Sequence, residues 1–295
     1  GQVRFEKNDQ KWEIDYSLAP HFRGRGLGRP LLKAALLKLR SENSGVLVLG
    51  RVKKSNLPSC KIFESLGFSA RSDGGGLRIS VCSDAGSWIN TYVPELLLEW
   101  LADGHEVRWA HDAEALPEGD ICFFLSYGKI VNAGLLAKNK NNLVVHESDL
   151  PKGRGWSPLT WQVLEGAKSI PVTLFEAADK VDSGPIYLQE KIDLHGSELI
   201  EDLRCLQANS TNHLCRVFVA GYPHILNKAH AQNGDATYYR RRYPVDSQLD
   251  PDKTVREQFN LLRVSDNLRY PVWFELDGNK YRLKIEKFNV ENNDG

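Results

Sequence analysis

A histidine and an aspartate about 36 residues apart carry the first chemical suggestion in this 295-residue chain. Val144-Val145-His146-Glu147 puts His146 just past an apolar run that reads as a buried strand, and open α/β sheets bind their ligands at such strand ends. Asp182 lies in the turn Val181-Asp182-Ser183-Gly184-Pro185, ahead of another apolar run. A His beside an Asp performs general acid–base chemistry near neutral pH, the carboxylate fixing the tautomer and stabilising the imidazolium. Spacing alone leaves a second reading open, in which His146 closes a strand and Asp182 satisfies turn amides. His21, His105, His111, His195, His213, His224 and His230 are scattered without metal-ligand spacing, and no metal is expected.

A second candidate is Arg23-Gly24-Arg25-Gly26-Leu27-Gly28, between an alternating strand (12–18) and an amphipathic helix (30–42). Glycines there let backbone N–H groups approach a phosphate at a helix N-terminus, although such turns are also built for purely structural reasons. The loop resembles the R-x-x-G-x-G pyrophosphate loop of the Gcn5-related N-acetyltransferases. Asn56-Leu57-Pro58 through Glu64-Ser65-Leu66-Gly67-Phe68 resembles that family's late helix. The resemblance spans residues 1 to about 70, only the family's C-terminal half. It implies a vestigial acetyl-CoA loop at Arg23, Gly24, Gly26 and Gly28, with acetyl-CoA not expected as a ligand and the segment structural rather than catalytic.

His146-x-Ser148-x-Leu150-Pro151-Lys152-Gly153-Arg154-Gly155 and Asp182-x-Gly184-x-Ile186 together resemble the formyltransferases that use 10-formyltetrahydrofolate. The likeness runs from about residue 78 to 287, in the family's order. It implies that His146 and Asp182 are catalytic and that 10-formyltetrahydrofolate is the co-substrate. It implies a folate site at Leu125, Ser126, Tyr127, Gly128, Lys129, Ile130 and Asp179. Acceptor contacts are implied at Ser148, Lys152, Arg154, Trp156, Tyr239 and Arg241. There are two departures. The family's catalytic Asn, two residues before the His, is Val144 here, so the oxyanion of the tetrahedral intermediate needs another donor: His146, a backbone N–H or a water. The chain between Val107 and Ile121 is also too short for the strand and helix that longer members insert. Trp156 and Trp161 read first as packing of a turn and second as stacking platforms for a sugar, base or pterin. Arg240-Arg241-Arg242 reads as a diphosphate grip or as a charged edge strand.

These residues must be positioned by an α/β fold with a mostly parallel sheet. Strands are expected at 45–51, 79–83, 106–109, 121–125, 143–145, 171–176 and 185–192, with helices at 58–66, 94–102 and 158–165. Ser197 is expected to N-cap a long helix carrying Glu198, Glu201 and Asp202 in its first turns. Beyond Gly234 come strands at 237–243, 272–276 and 280–285, with Asp277-Gly278 as a hairpin turn. Ser72-Asp73-Gly74-Gly75-Gly76 reads as a linker. The expected organisation is a partial acetyltransferase-like domain (1–76), a Rossmann-like formyltransferase domain (77–233) and a small β-rich C-terminal subdomain (234–295).

Composition narrows the function. Hydrophobic residues make up 41% and charged residues 26%, which excludes disordered and collagen-like classes. Lys and Arg (38) balance Asp and Glu (38), which disfavours nucleic acid as a partner. No apolar run reaches the roughly 20 residues of a membrane span. Cys60, Cys82, Cys122, Cys205 and Cys215 form no framework and suit reduced thiols in a cytoplasmic protein. The expected activity is formyl transfer to a nucleotide-linked deoxyamino sugar, with a UDP-linked 4-amino-4,6-dideoxy sugar of a pseudaminic-acid-type pathway favoured. Methionyl-tRNA formylation, or a folate or nucleotide-sugar binding module that lost catalysis, are the alternatives. A homo-oligomer is compatible with the sequence.

Overall fold

The computed structural model describes residues 1–8, 11–43, 47–50, 52, 56–68, 76–178 and 180–288. They fall into two compact units, Gly1–Gly75 and Gly76–Gly295.

The first unit has a three-stranded sheet in the order β1 (Gln2–Asn8), β2 (Lys11–Ser17), β3 (Leu47–Gly50), with β1 antiparallel and β3 parallel to β2. Helix α1 (Gly28–Glu42) buries Leu32, Leu36 and Leu39, which fall on one face at intervals of four and three residues. Leu32 and Leu36 pack with Ile14 and with Phe63 of α2 (Leu57–Ser65). Of the strand expected at 45–51, residues 47–50 form β3 and 45, 46 and 51 lie outside the described residues, while β1 is an additional strand.

The second unit holds a six-stranded sheet in the order β10-β9-β7-β6-β4-β5. Its elements are β4 (Arg78–Cys82), α3 (Val93–Ala102), β5 (Glu106–Ala110), β6 (Gly119–Phe124), α4 (Ala133–Leu136), β7 (Asn139–His146), β8 (Arg154–Gly155), α5 (Pro158–Leu164), β9 (Ser169–Glu176), β10 (Ile186–Asp193) and α6 (Ile200–Gly221). Strands β4, β5, β6 and β7 are mutually parallel, and β9 alone runs against the others. Covered on both faces, the central strands are apolar on both. Ile79, Val81, Ile121, Phe123, Leu143 and Val145 belong to the main core, with Trp100 of α3 stacked on Phe123 at 5.3 Å. Cys82, Cys122, Phe124 and Val144 pack in the cluster on the opposite face.

Two expectations about elements need correction. The long helix starts at Ile200 rather than after Ser197. Glu198 turns its carboxylate back onto the amides of His195 and Gly196 and pairs with Arg263 at 2.7 Å. That leaves Leu199 extended, and its N–H donates to Asp202 at 2.9 Å. The strand expected over 237–243 shrinks to β11 (Tyr238–Tyr239), because it pairs only with the two residues of β8. After the short helix α7 (Phe259–Arg263), strands β12 (Val272–Leu276) and β13 (Asn279–Leu283) form the hairpin around Asp277 (φ 50°) and Gly278 (φ 75°). Val272 and Leu283 pack there with Leu249 and Leu262.

None of the five cysteines is in a disulfide. Burial pushes the Cys82 thiol up to about 12, well above the range of a reactive thiolate. Among the described residues no helix is long and apolar enough to cross a membrane, and no His/Cys/Asp/Glu group has the arrangement of a metal site.

Candidate active site

His146 ends β7, held between two strands by its pairing with Thr173 of β9 and by the Phe124–Val144 register with β6. Its ring is buried, and Nε2 lies 2.9 Å from the carbonyl oxygen of Gly153. A carbonyl only accepts, so Nε2 carries a proton and donates it. The same nitrogen is 3.8 Å from Asp182 Oδ2, which is ion-pair range once the ring is protonated. The Gly153 acceptor at Nε2 selects the Nε2–H tautomer and leaves Nδ1 as the proton-accepting position.

Asp182 sits in the β9–β10 connection with φ 51°, a left-handed backbone that Asp tolerates better than most residues. Its Oδ2 accepts the Gly155 N–H at 2.9 Å. Gly184, two residues on, is required sterically, since a Cβ there would come 1.8 Å from the carbonyl oxygen of Glu176. Gly155 has φ 98°, and a Cβ there would approach the Tyr239 carbonyl oxygen to 2.4 Å. The Gly153–Trp156 strip is therefore backbone-to-backbone with 237–239: Arg154 N–H donates to Thr237 O (2.9 Å), Trp156 N–H to Tyr239 O (3.1 Å) and Gly153 N–H to Thr237 Oγ1 (2.8 Å).

The residues singled out in the sequence divide by position. Ser126 (φ 49°), Gly128, Lys129 and Ile130 form an exposed loop after β6, with Ile130 83% exposed. Ser87 Oγ donates to Ser126 Oγ at 2.8 Å. Gly128 N–H donates to Asp84 at 3.0 Å, and the space a Cβ would take there is bounded by Asp84 and the Trp156 ring. Tyr127 is half-buried and accepts the Ala113 N–H, and Lys129 pairs with Asp112 at 3.5 Å. Leu125 is different: its side chain is in the main core, so only its backbone faces the loop. Asp179 lies outside the described residues. Ser148, expected on a ligand, is 2% exposed beneath the loop, and its hydroxyl has no partner among the described residues. Lys152 is exposed. Arg154 is turned to Gln232 (2.6 Å) and Tyr238 (3.3 Å).

Trp156 is 44% exposed, with the Arg241 guanidinium 5.1 Å from its ring centre. Trp161 is occupied internally: it stacks on Tyr239 (6.2 Å, 9°) and is covered by Arg240. Tyr239 also donates to Glu165 at 2.8 Å. Arg240 is bound to Asp246 at 2.7 Å, and Arg242 reaches the Asp246 carbonyl. Of the three arginines, Arg241 is the one turned towards Trp156. In the first unit, Arg23 Nε donates to Leu18 O at 2.9 Å, while Gly24 and Gly26 are exposed with positive φ. Gly28 is buried against Ile62.

Val144 is half-buried between Leu150, Phe175 and Ile186, an apolar wall that offers no donor beside His146. Glu147, which no motif in the sequence marks, is buried next to His146. Burial holds its carboxyl above the usual carboxylate range, with His146 and Gln207 opposing that shift. Because the folded state binds this proton more tightly than the unfolded chain, its contribution to stability is greatest at low pH. That contribution declines as pH rises through the raised folded value. Glu147→Gln, an isostere of the neutral form, is expected to raise the melting temperature at neutral pH more than at pH 4. Calorimetry at both pH values checks this, and an equal change at the two would refute it.

Residues 110–214 match the formyl transferase family. Residues 1–68 match the acetyltransferase (GNAT) family. The chain thus joins a GNAT-like part to a Rossmann-like formyltransferase fold. The bifunctional polymyxin resistance protein ArnA of Wigglesworthia glossinidia brevipalpis is 30% identical over 147 residues, 49% of this chain and 22% of that protein. The chain therefore spans about a fifth of that relative's length. Among solved structures, methionyl-tRNA formyltransferase from Clostridium thermocellum superposes with a TM-score of 0.58 at 19% identity, covering 72% of this chain and 94% of that one. A 4-N formyltransferase from Francisella tularensis gives 0.54 at 18% identity, covering 74% and 100%. HypX from Aquifex aeolicus, in complex with tetrahydrofolic acid, gives 0.53 at 16%, covering 71% and 37%. At these identities the superpositions speak for the fold.

Proposed function

We propose that the chain transfers a formyl group from 10-formyltetrahydrofolate to the primary amine of a nucleotide-linked deoxyamino sugar. The observation that carries this reading is the His146–Asp182 pair at the carboxyl end of β7, 3.8 Å apart, inside the segment matched to the formyl transferases. The folate supplies the formyl carbon. The Ser126–Ile130 loop suits its flat, amide-bearing ring, because the loop exposes backbone at Gly128 beside the Trp156 indole.

His146 keeps Nε2–H on the Gly153 carbonyl, so Nδ1 is left to take the proton that the amine loses on attacking the formyl carbon. The imidazolium formed faces the Asp182 carboxylate and then returns the proton to the departing folate nitrogen. Val144 supplies no donor, so the oxyanion is held by the protonated His146 or by a backbone N–H. The exposed Trp156 ring with Arg241 over it suits a base or diphosphate.

Three considerations favour a sugar amine. The net charge is zero and the isoelectric point about 7.2, a weak field for tRNA. A solved neighbour is a 4-N formyltransferase. The GNAT-like first unit has the fold of enzymes that acylate amines, the neighbouring reaction on an amino sugar. We take a UDP-linked 4-amino-4,6-dideoxy sugar of the pseudaminic-acid type as acceptor, and the cytoplasm, where activated sugars are made, as location. The methionyl-tRNA formyltransferase neighbour keeps that alternative in the test. The full chain is incubated with 10-formyltetrahydrofolate and a panel of UDP- and dTDP-linked amino sugars, with methionyl-tRNA alongside. Formylation of a sugar and not of the tRNA is expected. Formylation of the tRNA alone, or of nothing, overturns the reading.

A further inference from the structure

Gln232 lies beyond the segment matched to the formyl transferases, and nothing in its local sequence singles it out. Its amide nevertheless joins the two loops that face His146. Nε2 donates to the carbonyl oxygens of Asp182 and Gly184, each at 2.9 Å. Oε1 accepts from Arg154 Nη2 at 2.6 Å.

The two carbonyls belong to residues two apart, and one NH2 group reaches both only when the turn between them is curled. The curl is the same one that gives Asp182 its φ of 51° and presses Gly184 against the Glu176 carbonyl. A non-glycine residue holds that backbone region only when its surroundings determine it. The other end of the amide fixes Arg154, and the next residue, Gly155, donates the N–H that fixes the Asp182 carboxylate at 2.9 Å. One neutral side chain thus ties the backbone of Asp182 to the strand that holds its carboxylate. Glu would lose both N–H donors, and Leu would keep the bulk and none of the polarity.

We propose that Gln232 is the positioning residue of the His146–Asp182 pair, setting the turn that aims the carboxylate at the imidazole. The proposal rests on the reading of that pair as the reacting groups. Because it acts through Asp182, its loss is without consequence once the Asp182 charge is gone.

The test uses the full chain as wild type, Q232L, Q232E, D182N and the double variant D182N/Q232L. Q232L is expected to lower kcat by about 10²-fold, the usual cost of misplacing a reacting group by about 1 Å. KM for 10-formyltetrahydrofolate stays where it is, and Q232E is impaired like Q232L. In the D182N background the Gln232 change costs nothing further, the non-additivity of two residues acting as one unit. Additive losses, or an unchanged kcat in Q232L, overturn the proposal. A second readout needs no acceptor: the ¹⁵N resonances of the His146 ring move in Q232L in the direction they move in D182N. Unmoved ring resonances refute it by themselves. If the wild type formylates no acceptor, the proposed function fails and the ring resonances alone decide about Gln232. Should Q232L lose its cooperative melt, Q232N, which keeps the amide but shortens its reach, takes its place under the same criteria.

Discussion

Asp182→Asn lowers kcat for formyl transfer by about 10²–10⁴-fold, the usual contribution of a general acid–base group, and leaves the fold in place. Asn keeps an oxygen for the Gly155 N–H and the size of the side chain, so the turn loses only its charge. What disappears is the carboxylate charge 3.8 Å from Nε2 that the proposed mechanism sets against the imidazolium. His146→Ala brings a loss of the same order with an added structural cost. It leaves the buried Gly153 carbonyl without its donor, a penalty of about 1–3 kcal/mol. Measuring kcat and melting temperature for both variants separates the two effects. Near-wild-type turnover in either variant removes that residue from the chemistry.

Gly184→Ala is expected to be as damaging by a different route. An added methyl would stand 1.8 Å from the Glu176 carbonyl oxygen, a backbone atom that is itself fixed by the strand. The neighbouring Glu176 N–H donates to Pro185 O at 2.9 Å and Glu176 pairs across to Leu143, so neither partner moves cheaply. The turn must open, at a cost of about 1–3 kcal/mol for overpacking. Asp182 leaves its position when the turn opens, and activity falls about 10²-fold or more. Gly184 does not have a positive φ, so the barrier is contact and not backbone conformation. Thermal melts and kcat for the alanine variant check this. Wild-type values of both would show that the chain bypasses the contact.

The strand-end histidine, the turn aspartate and most elements of the sheet were legible because period and punctuation are local signals. β1 alternates Val3, Arg4, Phe5, Glu6, which is strand-like, yet Arg4, Glu6 and Lys7 make three of its seven positions charged and blunt the apolar signal. Ser197 looked like a helix cap until the tertiary pairing of Glu198 with Arg263 took precedence, a contact between residues 65 positions apart. Ser148 stands at a ligand-like place in the motif but is roofed by the Gly153 loop, which only the folded backbone reveals. Asp84 and Gln232 escaped for a shared reason. Their partners, Gly128 and the Asp182 turn, lie 44 and 50 residues away, and an isolated Asp or Gln carries no mark of such a distance. Asp84 does follow the last residues of β4, so its place at a strand end was a usable signal.

The two-residue ladder between β8 and β11 also sets an order of events. The loop that carries Gly153, Arg154 and Gly155 takes its backbone partners from Thr237 and Tyr239, 84 positions further along the chain. During synthesis, the six strands of the main sheet, β4 to β7, β9 and β10, emerge with all their sheet partners available, whereas that loop waits for chain not yet made. Until residue 239 leaves the ribosome, Gly155 has no ladder to hold it against Asp182. The nascent sheet is complete before His146 and Asp182 are aligned, so a chain cut short after β10 carries both residues without the strand that holds Gly155 against Asp182.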